Sequence, residues 1–240
     1  NSSIVSIVIP DNIVTGDVVL KDMPNLTTVT LRNNITLSAD AFSGCPAFEK
    51  LIFSDAVTAI PDNYLINNTV VKEIVLGSNV ETIGVSAFEN CTALENINLS
   101  NVSEIGSKAF YSCTSLYAVQ LGDKIETINE SVFEGCSSLS ELTLGENLKV
   151  IGNSAFSSAT NLQVVHFPEG LQTIGDSAFM ISGLQSVLIP DSVKTIGDMA
   201  FCYTISSKYF QLGKGLEYVG SMAFYGAFNT VFVVPKEVTG

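Results

Sequence analysis

Apolar residues return along this chain in one fixed phrase. Its clearest copy is Ile83, Gly84, Ala87, Phe88, Cys91, Leu94, Ile97 and Leu99, with mostly polar residues between. The aromatic anchor falls at Phe42, Phe88, Phe110, Phe133, Phe156, Phe179, Phe201 and Phe224, and Leu20 and Leu65 fill the slot in two weaker copies. Successive anchors are 22 or 23 residues apart. A fixed period of this length marks a solenoid, in which each coil buries its apolar side against the next. The unbroken period predicts one domain over 1–240, with about ten coils and no internal linker.

Within a coil the pattern changes twice. Ile97 and Leu99 alternate with Asn96 and Asn98, the period-two signature of a half-buried strand. The same cadence occurs at Ile7/Ile9, Val29/Leu31, Leu51/Phe53, Ile74/Leu76, Val119/Leu121, Leu142/Leu144, Val165/Phe167 and Val187/Ile189. One such strand per coil stacks into a parallel sheet with strands about 4.8 Å apart. Pro10, Gly77, Gly122, Gly145, Pro168, Pro190 and Gly213 end the strands. Asp62, Ser107, Asn153, Asp176, Asp198 and Ser221 each stand three residues before an anchor, where Asp, Asn and Ser are favoured helix N-caps. That spacing predicts one or two helical turns through each Ala-Phe pair, held by packing because so short a helix is marginal alone. The Ile-Gly step before the cap serves either a positive φ or close packing. Asn129 in the Gly slot suits the first, and Pro61 excludes it there. The anchor Phe residues are expected to stack in a buried column.

Five cysteines sharpen this picture. Cys45, Cys91, Cys113 and Cys136 lie three residues after an anchor, and Cys202 lies out of register. An odd count argues against a disulfide framework. A straight column cannot surround a metal ion tetrahedrally, although one bridge among Cys91, Cys113 and Cys136 is conceivable. Asn68, Ala159 and Ser182 occupy the same slot, so the column reads as small packed side chains.

The phrase Ile-Gly-x-x-Ala-Phe-x-x-Cys-x-x-Leu-x-x-Val-x-Leu resembles the BspA-type (Treponema pallidum-type) leucine-rich repeat, from about Ile4 to Val234. Tyr64-Leu65 and Val132 depart from the Ala-Phe pair, and the turns near Leu184, Ile205 and Phe228 are irregular. The resemblance implies an α/β, right-handed leucine-rich-repeat solenoid. Its parallel sheet would form the concave face, with short helices and turns on the convex face. It implies a secreted or cell-surface protein that adheres to host matrix proteins such as fibronectin and fibrinogen, and it carries over no catalytic motif.

Charge and composition narrow the partners. The net charge is −13, which disfavours nucleic acid and anionic membrane surfaces. No apolar run approaches the roughly 18 residues of a membrane span. The chain starts at Asn1 without a signal segment, and Pro235-x-x-Val238 begins another copy, so a longer native chain is expected. The single histidine, His166, points off the sheet with no nucleophile or acid beside it, so no enzymatic, metal or cofactor role is read there.

The outward sheet positions run Thr30, Ile52, Val75, Asn98, Gln120, Thr143, His166, Leu188, Gln211 and Phe232. Beside them run Lys50, Glu73, Asn96, Ala118, Glu141, Val164, Ser186 and Tyr209. Val164, His166, Leu188, Tyr209, Gln211 and Phe232 form the candidate ligand-binding patch, because contiguous exposed apolar and aromatic residues mark interaction sites. A protein ligand is the first expectation. A glycan ligand and a structural spacer are the alternatives. Eight Asn-x-Ser/Thr sequons, at Asn1, Asn25, Asn34, Asn67, Asn90, Asn98, Asn101 and Asn129, fit either glycosylation or simple Asn-rich turns.

Overall fold

The computed structural model describes residues 3–13, 20–33, 35, 37, 41–227 and 230–236. Asn1, Asn34, Phe228 and Val238 lie outside the described residues. The chain winds into a parallel β-solenoid of about ten coils. Seven strands form the main sheet: Ser6–Ile9, Thr28–Leu31, Lys50–Phe53, Glu73–Val75, Asn96–Leu99, Ala118–Leu121 and Glu141–Thr143. Ser186–Leu188, Tyr209–Gln211 and Val231–Val233 form a separate three-stranded sheet of the same type. Two-residue strands, such as Thr82–Ile83 and Thr173–Ile174, build a second ladder of three and then five rungs. All pairs are parallel and in register one coil apart, as in Val29↔Leu51 and Ile97↔Val119.

The expected short helices are absent, for the described residues contain no helix. Two residues per coil take a left-handed backbone on either side of the Ala-Phe pair, for example Ser86 (φ 53°) and Asn90 (φ 58°). No α-helix continues through such residues. Backbone donors then divide between two uses. Ser86, Phe88 and Asn90 donate to carbonyls of the next coil at Ser107, Ala109 and Tyr111, while Ala87, Glu89 and Cys91 close local turns.

The residues read as N-caps keep their acceptor chemistry but serve the neighbouring coil. Asp62 Oδ1 accepts from the Val85 amide at 2.7 Å, and Asn153 Oδ1 from the Asp176 amide at 2.9 Å. Asp176 and Asp198 repeat the bond to the Asp198 and Ser221 amides at 2.8 and 2.7 Å. This ladder also explains the Ile-Gly step. Those glycines have ordinary φ, but a Cβ on Gly175 would lie 2.6 Å from Asn153 Oδ1. Gly is there for close approach. Where Asn129 replaces it, its side-chain amide donates to the Ile105 carbonyl at 2.7 Å, the bond a Gly amide makes in neighbouring coils.

The core runs the length of the array. Phe88, Phe110, Phe133, Phe156, Phe179, Phe201 and Phe224 stack in one column with centroids 5.3–5.6 Å apart. Each fully buried ring contributes about 1.5–3 kcal/mol. Phe42 is equally buried but stacks on Phe48 within its own coil, at 3.9 Å. Phe224, in the last described coil, is only partly buried.

All five thiols are free and buried. Cys45, Cys91, Cys113 and Cys136 donate to the carbonyls of Leu20, Leu65, Phe88 and Phe110, each at 3.2 Å. Burial pushes Cys91 and Cys136 up to about 12 and raises Cys113 well above the usual thiol value. These three are therefore expected to ignore a disulfide reagent at mildly alkaline pH in the folded chain and to react fully in denaturant. Native labelling of all five thiols would contradict the column. The sign of linkage also follows. A raised folded-state pKa stabilises the fold below the unfolded value of 9.0, and this stabilisation is lost as pH climbs toward about 12.

Candidate ligand-binding face

The outward strand face has an N-terminal half on the seven-stranded sheet and a C-terminal half on the three-stranded sheet. In the N-terminal half polar pairs stand beside exposed Val8 and half-buried Ile52 and Val75. Lys50 Nζ meets Glu73 Oε1 at 2.8 Å, and Asn98 Oδ1 accepts from Ser100 Oγ at 2.6 Å. In the C-terminal half Val164 is 53% exposed and Leu188 56%.

Between these halves the sheet lapses. Residues 164–167, expected as the strand around Val165 and Phe167, form no strand and pair with neither Glu141–Thr143 nor Ser186–Leu188. Next to this segment the Gln163 carbonyl accepts from the Gln185 amide at 3.0 Å. Leu142, Leu144 and Phe167 are left partly buried.

The turn after the strand also differs from coil to coil. In three coils an Asp there ties one coil to the next. Asp55, Asp123 and Asp191 accept from the amides of Ser78, Glu146 and Lys214 at 2.6–2.9 Å. The Ser78 amide and hydroxyl hold the Asp55 carboxyl below its usual value. Glu146 and Glu169 take this place beside the lapse without making the bond, as do Ser78 and Asn101 where the sheet is continuous. Glu is one methylene longer than Asp. Glu146, Glu169 and Asp191 also stack like charges in successive coils, which works against close approach.

A cleft of about 410 Å³ opens at the lapse, lined by Val165, His166, Phe167, Glu169, Leu188, Ile189, Pro190, Asp191 and Gln211. It combines unpaired strand backbone, an apolar wall at Leu188 and two carboxylates at its rim. Three sequence candidates, His166, Leu188 and Gln211, line it together. Val164 is exposed beside it. Tyr209 is half-buried rather than exposed, and its hydroxyl donates to Gln211 Oε1 at 3.1 Å.

Phe232 corrects the register. It pairs with Phe210, not with Gln211, and its ring stacks on the buried Phe210 ring at 5.2 Å. It is an inward residue, partly exposed because no described strand pairs with its other edge. Val233 takes the outward place beside Gln211. Glu169, Asp191, Ile189 and Pro190 were not among the candidates.

Two sequon amides already serve the coil-to-coil packing. Asn90 Nδ2 donates to Asn67 Oδ1 at 2.8 Å, and Asn129 Nδ2 to the Ile105 carbonyl. Among the described residues no group of three or more His, Cys, Asp or Glu could hold a metal ion, and no helix is long and apolar enough to cross a membrane.

A family model for the BspA type leucine rich repeat region matches residues 1–117 and 103–231, in six copies. The chain belongs to the BspA-type leucine-rich repeat family. Solved structures with the same fold include a leucine-rich repeat protein from Bacteroides ovatus, 23% identical, with a TM-score of 0.66 over 95% of this chain and 74% of that one. A leucine-rich repeat protein from Eubacterium ventriosum is also 23% identical, with a TM-score of 0.60 over 100% of this chain and 62% of its own. The Treponema pallidum leucine-rich repeat protein is 27% identical over 66% of this chain and 78% of its own, with a TM-score of 0.53. No curated protein matches this BspA-type chain.

Proposed function

We propose that this BspA-type solenoid is a non-enzymatic binding module, secreted or held at the cell surface, that takes a protein ligand on its outward strand face, where the seven-stranded and three-stranded sheets meet. The observation that carries the reading is the cleft at the sheet lapse. There exposed Val164 and Leu188 adjoin the backbone of residues 164–167, which pairs with neither neighbouring strand. Buried apolar anchors surrounded by polar rims dominate protein recognition, and unpaired strand backbone adds main-chain donors and acceptors. Leu188 would be the anchor. His166, Gln211, Glu169 and Asp191 would form the rim. Host matrix proteins such as fibronectin and fibrinogen are the first ligands to test.

The test is binding of the purified chain to immobilised fibronectin, fibrinogen and a glycan panel, beside Leu188→Ser. Leu188 is exposed, so the variant should melt within about 0.5 kcal/mol of the parent. Binding to protein should weaken about tenfold or more. Undiminished binding by the variant would place the site elsewhere. Binding to glycans alone would favour a lectin-like role, and binding to nothing a spacer that presents another segment.

A further inference from the structure

A second site stands on the turn segment that follows the Phe column, away from the outward strand face. Five residues separate the anchor from the next core position in the coils of Phe88, Phe110, Phe133 and Phe156, but only four separate Phe179 from Leu184. The shortened turn leaves a cleft of about 330 Å³ lined by Thr160, Ile181, Ser182, Gly183, Tyr203, Ile205 and Ser206. Gly183 makes the short turn possible, because a Cβ there would run into the Thr160 carbonyl oxygen.

The residues flanking this cleft break the rule of their own column. The position two after the anchor is left-handed in coil after coil, and Asn67, Asn90, Ser112, Gly135 and Ser158 fill it. At the cleft it holds Ile181 and Tyr203, both at φ 57°. A left-handed backbone is unfavourable for bulky side chains and most of all for a β-branched one. Both are also exposed, at 43% and 46%, as is Ile205 at 66%. Neither backbone preference nor burial accounts for them. The Ser182 hydroxyl, in the same wall, is buried without a hydrogen-bond partner. Strain retained where folding does not require it marks functional positions.

We propose that this cleft receives a single uncharged aromatic side chain of a partner protein. No charged residue lines it, although the chain carries a net charge of −13, so a charged group would find no counter-ion there. Its volume suits one large side chain and is too small for a helix or strand. Tyr203, set edge-on to Tyr225 at 5.5 Å, offers a ring against which another aromatic can pack. Ile181 and Ile205 supply aliphatic walls. The site is independent of the strand-face reading and survives its failure.

The chain has no tryptophan, so tryptophan fluorescence reports only on an added probe. The probes are the capped peptide Gly-Gly-Trp-Gly-Gly and free indole, titrated against the parent, Ile181→Asn, Ile205→Ser and Leu188→Ser. Asn suits the left-handed backbone, so Ile181→Asn should melt at the same temperature as the parent or higher. The expected result is a blue-shifted, saturable signal with the peptide. It should weaken about tenfold in Ile181→Asn and Ile205→Ser and stay unchanged in Leu188→Ser. No saturable signal with the peptide overturns the proposal, as does equal binding by Ile181→Asn. Indole binding without peptide binding also overturns it, because the site would then be closed to a side chain carried on a backbone.

Discussion

Phe133→Ala is expected to lower the unfolding free energy by about 3–5 kcal/mol. Phe133 is fully buried, with Phe110 and Phe156 each 5.4 Å away in the column. Truncation removes its apolar contact area and leaves a void bounded by two rings that the neighbouring coils hold in place. A domain is typically stable by only about 5–15 kcal/mol, so the loss is a large share of the total. In a solenoid each coil contacts only its neighbours, so damage in the middle is also expected to divide the array. Thermal and denaturant unfolding should show an earlier and broader transition. An unchanged midpoint would mean that the coils are registered differently.

Gly175→Ala should cost about 1–3 kcal/mol although it adds a single methyl group. That methyl would lie 2.6 Å from Asn153 Oδ1 and 2.8 Å from the Asn153 backbone nitrogen. The side chain there already holds the Asp176 amide, so it cannot yield without losing that bond. Gly170→Ala is the internal control. The nearest atom to its Cβ is the Glu146 carbonyl oxygen at 3.8 Å, and its φ is not left-handed. That change should be neutral or stabilise by about 0.4–1 kcal/mol through the unfolded chain. Equal melting temperatures for the two variants would show that Gly175 is not placed by coil-to-coil packing.

The strands and the Phe column were legible because each depends on local period and on identical neighbours one coil away. The Ala-Phe segment was misread for a physical reason. Asp62, Asn153 and Asp176 carry the acceptor that an N-cap needs, but the amide they satisfy lies 22 or 23 residues on, not two or three. Composition alone does not separate these cases. The left-handed Ser86, Ser131 and Ser154 before the Ala or Val, and Asn90 or Gly135 after the Phe, were the available signal against a helix. Phe232 was misassigned because residues 231–234 are all apolar and give alternation no phase. At residues 164–167 the strand pattern was sound. Nothing in that pattern marks the lapse: Glu146 and Glu169 lack the Asp tie, but Ser78 and Asn101 lack it too and their coils stay paired. Position along the strands puts Val164, His166, Leu188 and Gln211 on the outward face, but nothing in the sequence marks the cleft beside them.

The binding-face account rests on that lapse, and hydrogen exchange of the free chain tests it most directly. Amides of residues 164–167 should exchange many-fold faster than those of Ala118, Val119 and Gln120, which are paired on both sides in one sheet. Equal protection of the two segments would show a continuous sheet, with no unpaired backbone for a ligand to meet.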